Sequence, residues 1–526
     1  MADTCFGRRQ YLDILHKRVN GLKDGYRQNL ALVGDESVGK TTILFDFLND
    51  FCDSRFLMIY LEARQETAQS FCRRFLGSML YNFLQPLPAL REDLDFLVEK
   101  SRAYIPETAG KIKSFLADLK KKKPDALFTE LLSFPEMLHA ESGKFCVVIV
   151  DEFQNLERLG AKKLYKEWAQ VLMVQKTTMY IIASSTPYKA KAILSKDLSL
   201  LFGNFEVVQV EPFDVRTTEQ YLDAMLSGLP VDPAARKFIA NLSGGNPYYL
   251  NIIAGALSAG PDLNGTLESL LFDAEGVLNQ RFSALMRRYD EMASGQEYVS
   301  ILYHVSCGCN KIKDIAHVLR RVKSEIAPRV SYLVENDAIR RSGDFLIIND
   351  RLFGFWLRCV YQEKRNSLSH DLTNQRALFR NRIGSMQQEF VLQAGKPFAV
   401  RMAELFRLFS DERVQLERKS MRLDRFREIK PFEFGSKRLK EGLICRSSDS
   451  VWIMAFSRDG VTEDDIAEFS EECKKYRNKS LRKIIVNLSG FDHNSRLKAL
   501  EEKIITWDLE KVNEILDLYS RPRIIA

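Results

Sequence analysis

The chain has 526 residues, 45% hydrophobic and 28% charged, with a formal net charge of +7, the profile of a soluble protein of about three or four domains. It contains no run of eighteen apolar residues, and Met1-Ala2-Asp3-Thr4-Cys5 lacks the charged and apolar regions of a signal peptide, so a membrane role is excluded and a cytoplasmic protein is expected. The charge is mild and permits nucleic-acid binding without demanding it. Of the nine cysteines only Cys307-Gly308-Cys309 forms a close pair, and no second pair or histidine cluster completes a zinc site, so reduced thiols are expected.

Asn29-Leu30-Ala31-Leu32-Val33 reads as a short buried strand, and it leads into Gly34-Asp35-Glu36-Ser37-Val38-Gly39-Lys40-Thr41. This is a complete G-x-x-x-x-G-K-[ST] phosphate-binding loop in the strand-to-helix context that the motif needs. Its glycines let backbone N–H groups face a phosphate, and the helix opening near Lys40 and running through Thr42 directs its positive end at the same anion. Lys40 is expected to reach the β- and γ-phosphates of ATP, and Thr41 to place its hydroxyl on Mg²⁺.

Arg55 to Leu61 supplies a second strand. Lys120-Lys121-Lys122-Lys123-Pro124 is the densest basic run, most simply a solvated loop. Phe145-Cys146-Val147-Val148-Ile149-Val150 is apolar without alternation, which suits a parallel strand buried on both faces. It ends in Asp151-Glu152-Phe153-Gln154, with acids at the carboxyl end where open α/β sheets bind ligands. Asp151 is expected to hold Mg²⁺ through water, and Glu152 to polarise the attacking water. Met179 to Ala183 is a further strand ending in Ser184-Ser185-Thr186. A hydroxyl there, taken as that of Ser185, either senses the γ-phosphate or closes an ordinary turn. Glu206 to Val210 closes the sheet, and strands alternating with helical stretches predict an α/β, doubly wound parallel sheet over 1–215.

Residues 216–292 are helical in pattern, broken at Leu242-Ser243-Gly244-Gly245-Asn246-Pro247-Tyr248-Tyr249-Leu250, where Gly-Gly ends one helix and Pro247 opens the next. Over 293–361 three short helices and a Gly-turned hairpin, Ile339 to Ile348, predict a winged helix-turn-helix. Lys323, Arg329, Arg340 and Arg341 are its candidate phosphate contacts. Its third helix shows no Arg, Asn and Gln stripe for base edges, and Val330, Tyr332 and Leu333 suit packing, so DNA and protein contact stay equally open. Residues 362–389 are polar and basic, a solvated helical linker, and 390–526 mix helices with strands at 441–445 and 451–456.

The order of phosphate loop, Val-Asp-Glu-Phe-Gln, Gly-Gly-Asn-Pro-Tyr-Tyr-Leu and Ile348-Asn349-Asp350-Arg351-Leu352-Phe353-Gly354-Phe355-Trp356-Leu357-Arg358 resembles the archaeal-type ATPases of the signal-transducing, AAA+-related P-loop class over roughly 1–360. The resemblance implies that 216–292 is a lid whose Pro247 packs on adenine, and that Phe6 to Leu12, including Arg8, covers the base from the other side. It also implies a terminal domain over 390–526 similar to PD-(D/E)xK restriction-type nucleases. Such a nuclease needs an acid on one strand and Glu-x-Lys on the next; here those places hold Gly442 or Leu443, Ala455 and Ser457, with Asp449 and Asp459 on turns, so an inactive domain is expected. The family commonly has Gly-Arg where this chain has Gly203-Asn204, which implies slow hydrolysis. The expected function is an ATP-dependent switch coupling nucleotide state to a DNA- or protein-binding surface. The alternatives are a DNA-processing enzyme whose terminal domain cuts, and a non-hydrolysing nucleotide-binding scaffold.

Overall fold

A computed structural model describes residues 6–85, 90–161, 163–199, 205–260, 262–366, 372–416, 419–436, 438–476 and 480–525. The chain separates into two compact units, Met1–Pro212 and Phe213–Ala526. Gly203 and Asn204, on which the expectation of slow hydrolysis rests, lie outside the described residues.

The first unit is built on β1 (Leu30–Val33), β2 (Phe56–Glu62), β3 (Phe145–Asp151), β4 (Thr178–Ser184) and β5 (Glu206–Gln209), in the order β2-β3-β4-β1-β5. All neighbours are parallel. Alternate residues of each strand enter two separate cores, as a sheet covered on both faces requires. Leu30, Leu32, Val147 and Ile149 pack with Leu15, Val19, Ile43 and Phe47 of helices Arg9–Lys23 and Lys40–Asp50. Ala31, Val33, Val148 and Val150 face the opposite core, with Phe71, Phe75 and Met79 of helix Ala68–Leu84 and with Trp168. Five helices between Ala68 and Ser142 separate β2 from β3 among the described residues. The Lys120–Lys123 run is a turn between two of them, where Lys121 pairs with Asp118 at 3.0 Å and Lys122 pairs with Glu130.

The second unit starts with helices Val215–Met225, Pro233–Ser243, Pro247–Ala259, Leu263–Leu271 and Val277–Asp290. Helices Gly295–Ser306, Ile312–Val318 and Lys323–Glu335 follow, then an antiparallel hairpin of β6 (Ile339–Ser342) and β7 (Phe345–Ile348). A second hairpin, β8 (Glu412–Leu416) with β9 (Lys419–Leu423), precedes a sheet of β10 (Glu428–Glu433), β11 (Glu441–Arg446), β12 (Val451–Ser457), β13 (Leu481–Asn487) and β14 (Ile504–Asp508) in sequential order. Pairing is antiparallel from β10 to β12 and parallel from β12 to β14.

The stretch expected to be a solvated linker is instead packed. In helix Thr373–Ala394 the side chains of Phe379, Ile383 and Phe390 are buried, and Phe390 meets Phe238 at 5.9 Å between ring centres. Its basic residues neutralise a buried acid: Arg376 and Arg380 both bind Glu268, and Arg376 reaches Asp273 at 2.7 Å. Polar composition misled because four-residue spacing of the two arginines presents both to one carboxylate.

Candidate nucleotide site

The phosphate loop sits between the carboxyl end of β1 and helix Lys40–Asp50. Gly34 is dictated by close approach: a Cβ there would lie 2.2 Å from the Val210 carbonyl oxygen. Gly39, with φ of +96°, turns the chain into the helix in a conformation that side chains resist. Asp35, Glu36 and Ser37 form the open part of the loop, while Val38 anchors it in the core. Thr42 is exposed on the first helical turn.

Lys40 is only 4% exposed, so it is a buried ammonium and not a surface side chain. Its Nζ donates to the carbonyls of Gly34 at 3.0 Å and Asp35 at 2.7 Å. Burial lowers its pKa, against the pull of Glu152 and Asp151.

Asp151 ends β3 and is 2% exposed. Its Oδ2 accepts from the Thr41 hydroxyl at 2.7 Å and from the Tyr60 hydroxyl at 3.2 Å, and its Oδ1 accepts from the Glu152 amide at 2.9 Å. Burial raises its pKa, only partly countered by the bond from Thr41. Two adjacent oxygen donors, a hydroxyl and a carboxylate, are the hard ligands that suit Mg²⁺.

Glu152 follows in the left-handed region, φ 51° and ψ 41°, a costly conformation for a residue with a side chain. The turn aims its carboxylate across the sheet to β4. There Oε2 accepts from the Ser185 hydroxyl at 2.6 Å and from the Ser185 amide at 3.3 Å, and it also accepts from the Gln154 side chain. Thr41, Asp151, Glu152 and Ser185 are thereby joined around the loop. Arg8, 6% exposed, clamps the loop from behind, donating to the Val38 carbonyl at 2.8 Å and the Glu211 carbonyl at 2.7 Å. Pro247 belongs to the second unit, where it opens helix Pro247–Ala259 after Asn246, whose side chain accepts from the Tyr248 amide at 3.0 Å.

Two contributors went unassigned in the sequence. Gln154 lies inside the quoted motif and holds Glu152. Tyr60 carries the one hydroxyl in the apolar run Phe56–Leu61 of β2, two positions before Glu62, which pairs in register with Asp151.

Residues 14–253 match the family described as an ATPase domain predominantly from Archaea. No protein of curated function matches the sequence. Among solved structures, the Walker-type ATPase paby2304 of Pyrococcus abyssi superposes with a TM-score of 0.50 at 20% identity, over 67% of this chain and 95% of its own. The ORC2 protein of Aeropyrum pernix gives 0.41 at 10% identity, over 69% of this chain and 95% of its own. The RuvB Holliday junction branch migration motor of Thermotoga maritima gives 0.29 at 13%, over 69% and 96%. The first of these shares the fold. Over residues 14–253, then, this chain is similar to the ATPase domains found predominantly in Archaea.

Proposed function

We propose that the protein binds Mg-ATP at this loop, hydrolyses it slowly, and uses the nucleotide state as a switch over a DNA- or protein-binding surface of its second unit. The observation that carries this reading is the joined set of Thr41, Asp151, Glu152 and Ser185 at the phosphate loop. Lys40 has two carbonyl partners that phosphate oxygens can replace, exchanging an ion–dipole contact for one between opposite charges. Thr41 and Asp151 would hold Mg²⁺, which neutralises charge on the phosphates. Glu152 accepts a proton from the attacking water, and Ser185 and Gln154 keep its carboxylate in place for that task. An acid held by three donors from two other positions is a retained machine part, which speaks against a mere scaffold.

Coupling has a short route within the first unit. Val210 approaches Gly34 of the loop, and Glu211 is bonded through Arg8 to Val38. Phe213 begins the second unit two residues later, so a shift of the loop on nucleotide binding acts directly on the connecting segment. In this proposal 216–292 is the lid, 293–361 a winged helix-turn-helix, 362–389 the linking segment and 390–526 a nuclease-like domain without activity. Gly442 supports the last point, since a Cβ at that position would meet the Met454 carbonyl at 2.0 Å; no acid fits there. The protein would act in the cytoplasm. Phosphate release from ATP by the purified chain tests the core claim: Mg²⁺-dependent release that Glu152→Gln abolishes supports it, and an inert parent overturns it.

A further inference from the structure

In the second unit, two of the cations expected to meet phosphates are ion-paired and a third is bonded to its own turn. Arg340 pairs with Glu514 at 3.2 Å, Arg341 Nε donates to the Gly343 carbonyl at 3.0 Å, and Arg329 pairs with Glu297. The hairpin itself is covered. Its Ser342 hydroxyl donates to the Gln415 carbonyl at 2.9 Å, and the Asp344 amide donates to the Arg413 carbonyl at 2.9 Å, with the Arg413 amide returning a bond to Asp344 at 2.8 Å. Phe345 is part of the core formed by Phe398, Phe406 and Trp452. A hairpin fixed in this way cannot enter a groove.

The opposite corner of the same three-helix module is different. Residues 313–324 contain Lys313, Arg320, Arg321 and Lys323 against the single acid Asp314, and all four cations are exposed. Among the described residues Lys313, Arg320 and Lys323 have no ion-pair partner; Arg321 lies 3.7 Å from Glu297 and 3.9 Å from Glu325, a loose pairing. Beside them, helix Lys323–Glu335 presents Ser324, Pro328 and Ser331, exposed at helical spacing. Short side chains there permit close approach to a backbone. The apolar groups among the cations are Val318 and Val322, 47% and 59% exposed, without the aromatic anchors that dominate protein interfaces.

From this we infer that the turn between helices Ile312–Val318 and Lys323–Glu335 binds the sugar-phosphate backbone of duplex DNA, without sequence preference and without help from the β6–β7 hairpin. The inference rests on reading 293–361 as a helix-turn-helix, and it replaces the phosphate contacts expected from Arg329, Arg340 and Arg341. Lack of sequence preference follows from an exposed helix face with no Arg, Asn or Gln to read base edges.

Fluorescence anisotropy of a labelled duplex of arbitrary sequence with the full chain tests this, in parallel with phosphate release from ATP. Four phosphate contacts give a slope of about −3.6 in log affinity against log salt, hence a loss of about 150-fold between roughly 50 and 200 mM. The triple variant Lys313→Gln, Arg320→Gln, Lys323→Gln keeps one contact, so its slope falls to about −0.9 and the same salt step costs only about 3.5-fold. Lys111→Gln with Lys113→Gln, two exposed lysines of the first unit, leaves the slope unchanged, and both variants keep the parent's ATP turnover. Absence of duplex binding at low salt, an unchanged slope in the triple variant, or binding of polyglutamate in preference to duplex overturns the inference, the last in favour of an acidic protein. Duplex binding by a chain inert towards ATP would leave this surface standing and remove only the hydrolysis reading.

Discussion

β3 and β12 are built alike and end differently. Each is a nearly fully buried apolar strand inside a five-stranded sheet, β3 between two parallel neighbours and β12 between an antiparallel and a parallel one. At the end of β3, Asp151 is met by Thr41 and Tyr60, which are 110 and 91 residues away in the chain. At the end of β12, Ser457 donates to the Asp459 carbonyl two residues on, and its register partner Asn487 bonds Ser489 and Gly490. The first set converges from separate elements on one space; the second closes its own turns. Side-chain bonds to nearby backbone are ordinary turn chemistry, whereas convergence of distant polar groups has a cost in buried charge that only function or an ion pair explains. The fold supplies the place, and the convergence supplies the chemistry.

The comparison breaks most sharply at Glu152. Glu152→Gln keeps the shape and the bonds from Ser185 but cannot take a proton, so turnover should fall by about 10² to 10⁴ while Mg-ATP affinity holds. Parent-rate hydrolysis by this variant would remove Glu152 from its role. Lys40→Ala should weaken ATP binding by roughly a hundredfold or more, the equivalent of about 3 kcal/mol for lost charge-assisted bonds, read by calorimetry. Because Lys40 is buried, its removal also deletes a desolvated charge, so the melting temperature should change little; a large drop would mean that the lysine is structural.

Smaller effects sharpen the picture. Ser185→Ala leaves Gln154 as the remaining side-chain donor to Glu152, and turnover should fall about tenfold, or about 1.4 kcal/mol, with ATP affinity unchanged. An affinity loss in place of a rate loss would make Ser185 a ligand of the nucleotide. Asp151 gives a pH signature without nucleotide. Its folded pKa is raised by burial, so the folded state holds the proton more tightly than the unfolded chain, and stability is lost as pH rises through that pKa. Asp151→Asn, which has no charge to desolvate, should melt about 2 to 4 °C above the parent at neutral pH. The gap should close below the ordinary aspartate value of 3.8; a gap independent of pH would assign the gain to packing.

Much of the ATPase unit was legible because its signals are local. The loop occupies eight consecutive residues, β3 and its acids are contiguous, and apolar runs without alternation announce strands buried on both faces. What escaped was long-range. Tyr60 meets Asp151 only through the register of β2 with β3. Arg340 is neutralised by Glu514, 174 residues later, and Arg376 by Glu268, 108 residues earlier. A basic residue reads the same in sequence whether solvent or a buried carboxylate receives it, so charge patterns overstated the free cations of the hairpin and the linker. The turn between helices Ile312–Val318 and Lys323–Glu335 is hidden for the opposite reason: in sequence Lys313 and Arg320 look no different from arginines that the fold pairs with acids.

The smallest expected effect is none at all, at Asp449 and Asp459. Metal-dependent cleavage needs carboxylates converging on one ion, and the two aspartates nearest the expected positions lie on separate turns. Asp449 sits exposed on the turn between β11 and β12, where its amide donates to the Ser447 hydroxyl oxygen at 3.2 Å. Asp459 likewise follows β12, its amide donating to the Ser457 hydroxyl at 3.2 Å. Both aspartates therefore belong to turns held by serine hydroxyls, and Gly442, Leu443 and Ala455 add no side-chain oxygen to either. Plasmid and single-stranded DNA incubated with the purified chain and Mg²⁺ or Mn²⁺, with and without ATP, should stay intact, and Asp449→Ala or Asp459→Ala should change nothing. Nicking that copurifies with the protein and disappears in either variant would make the end of β12 a working site, and the contrast with β3 would then be one between two chemistries.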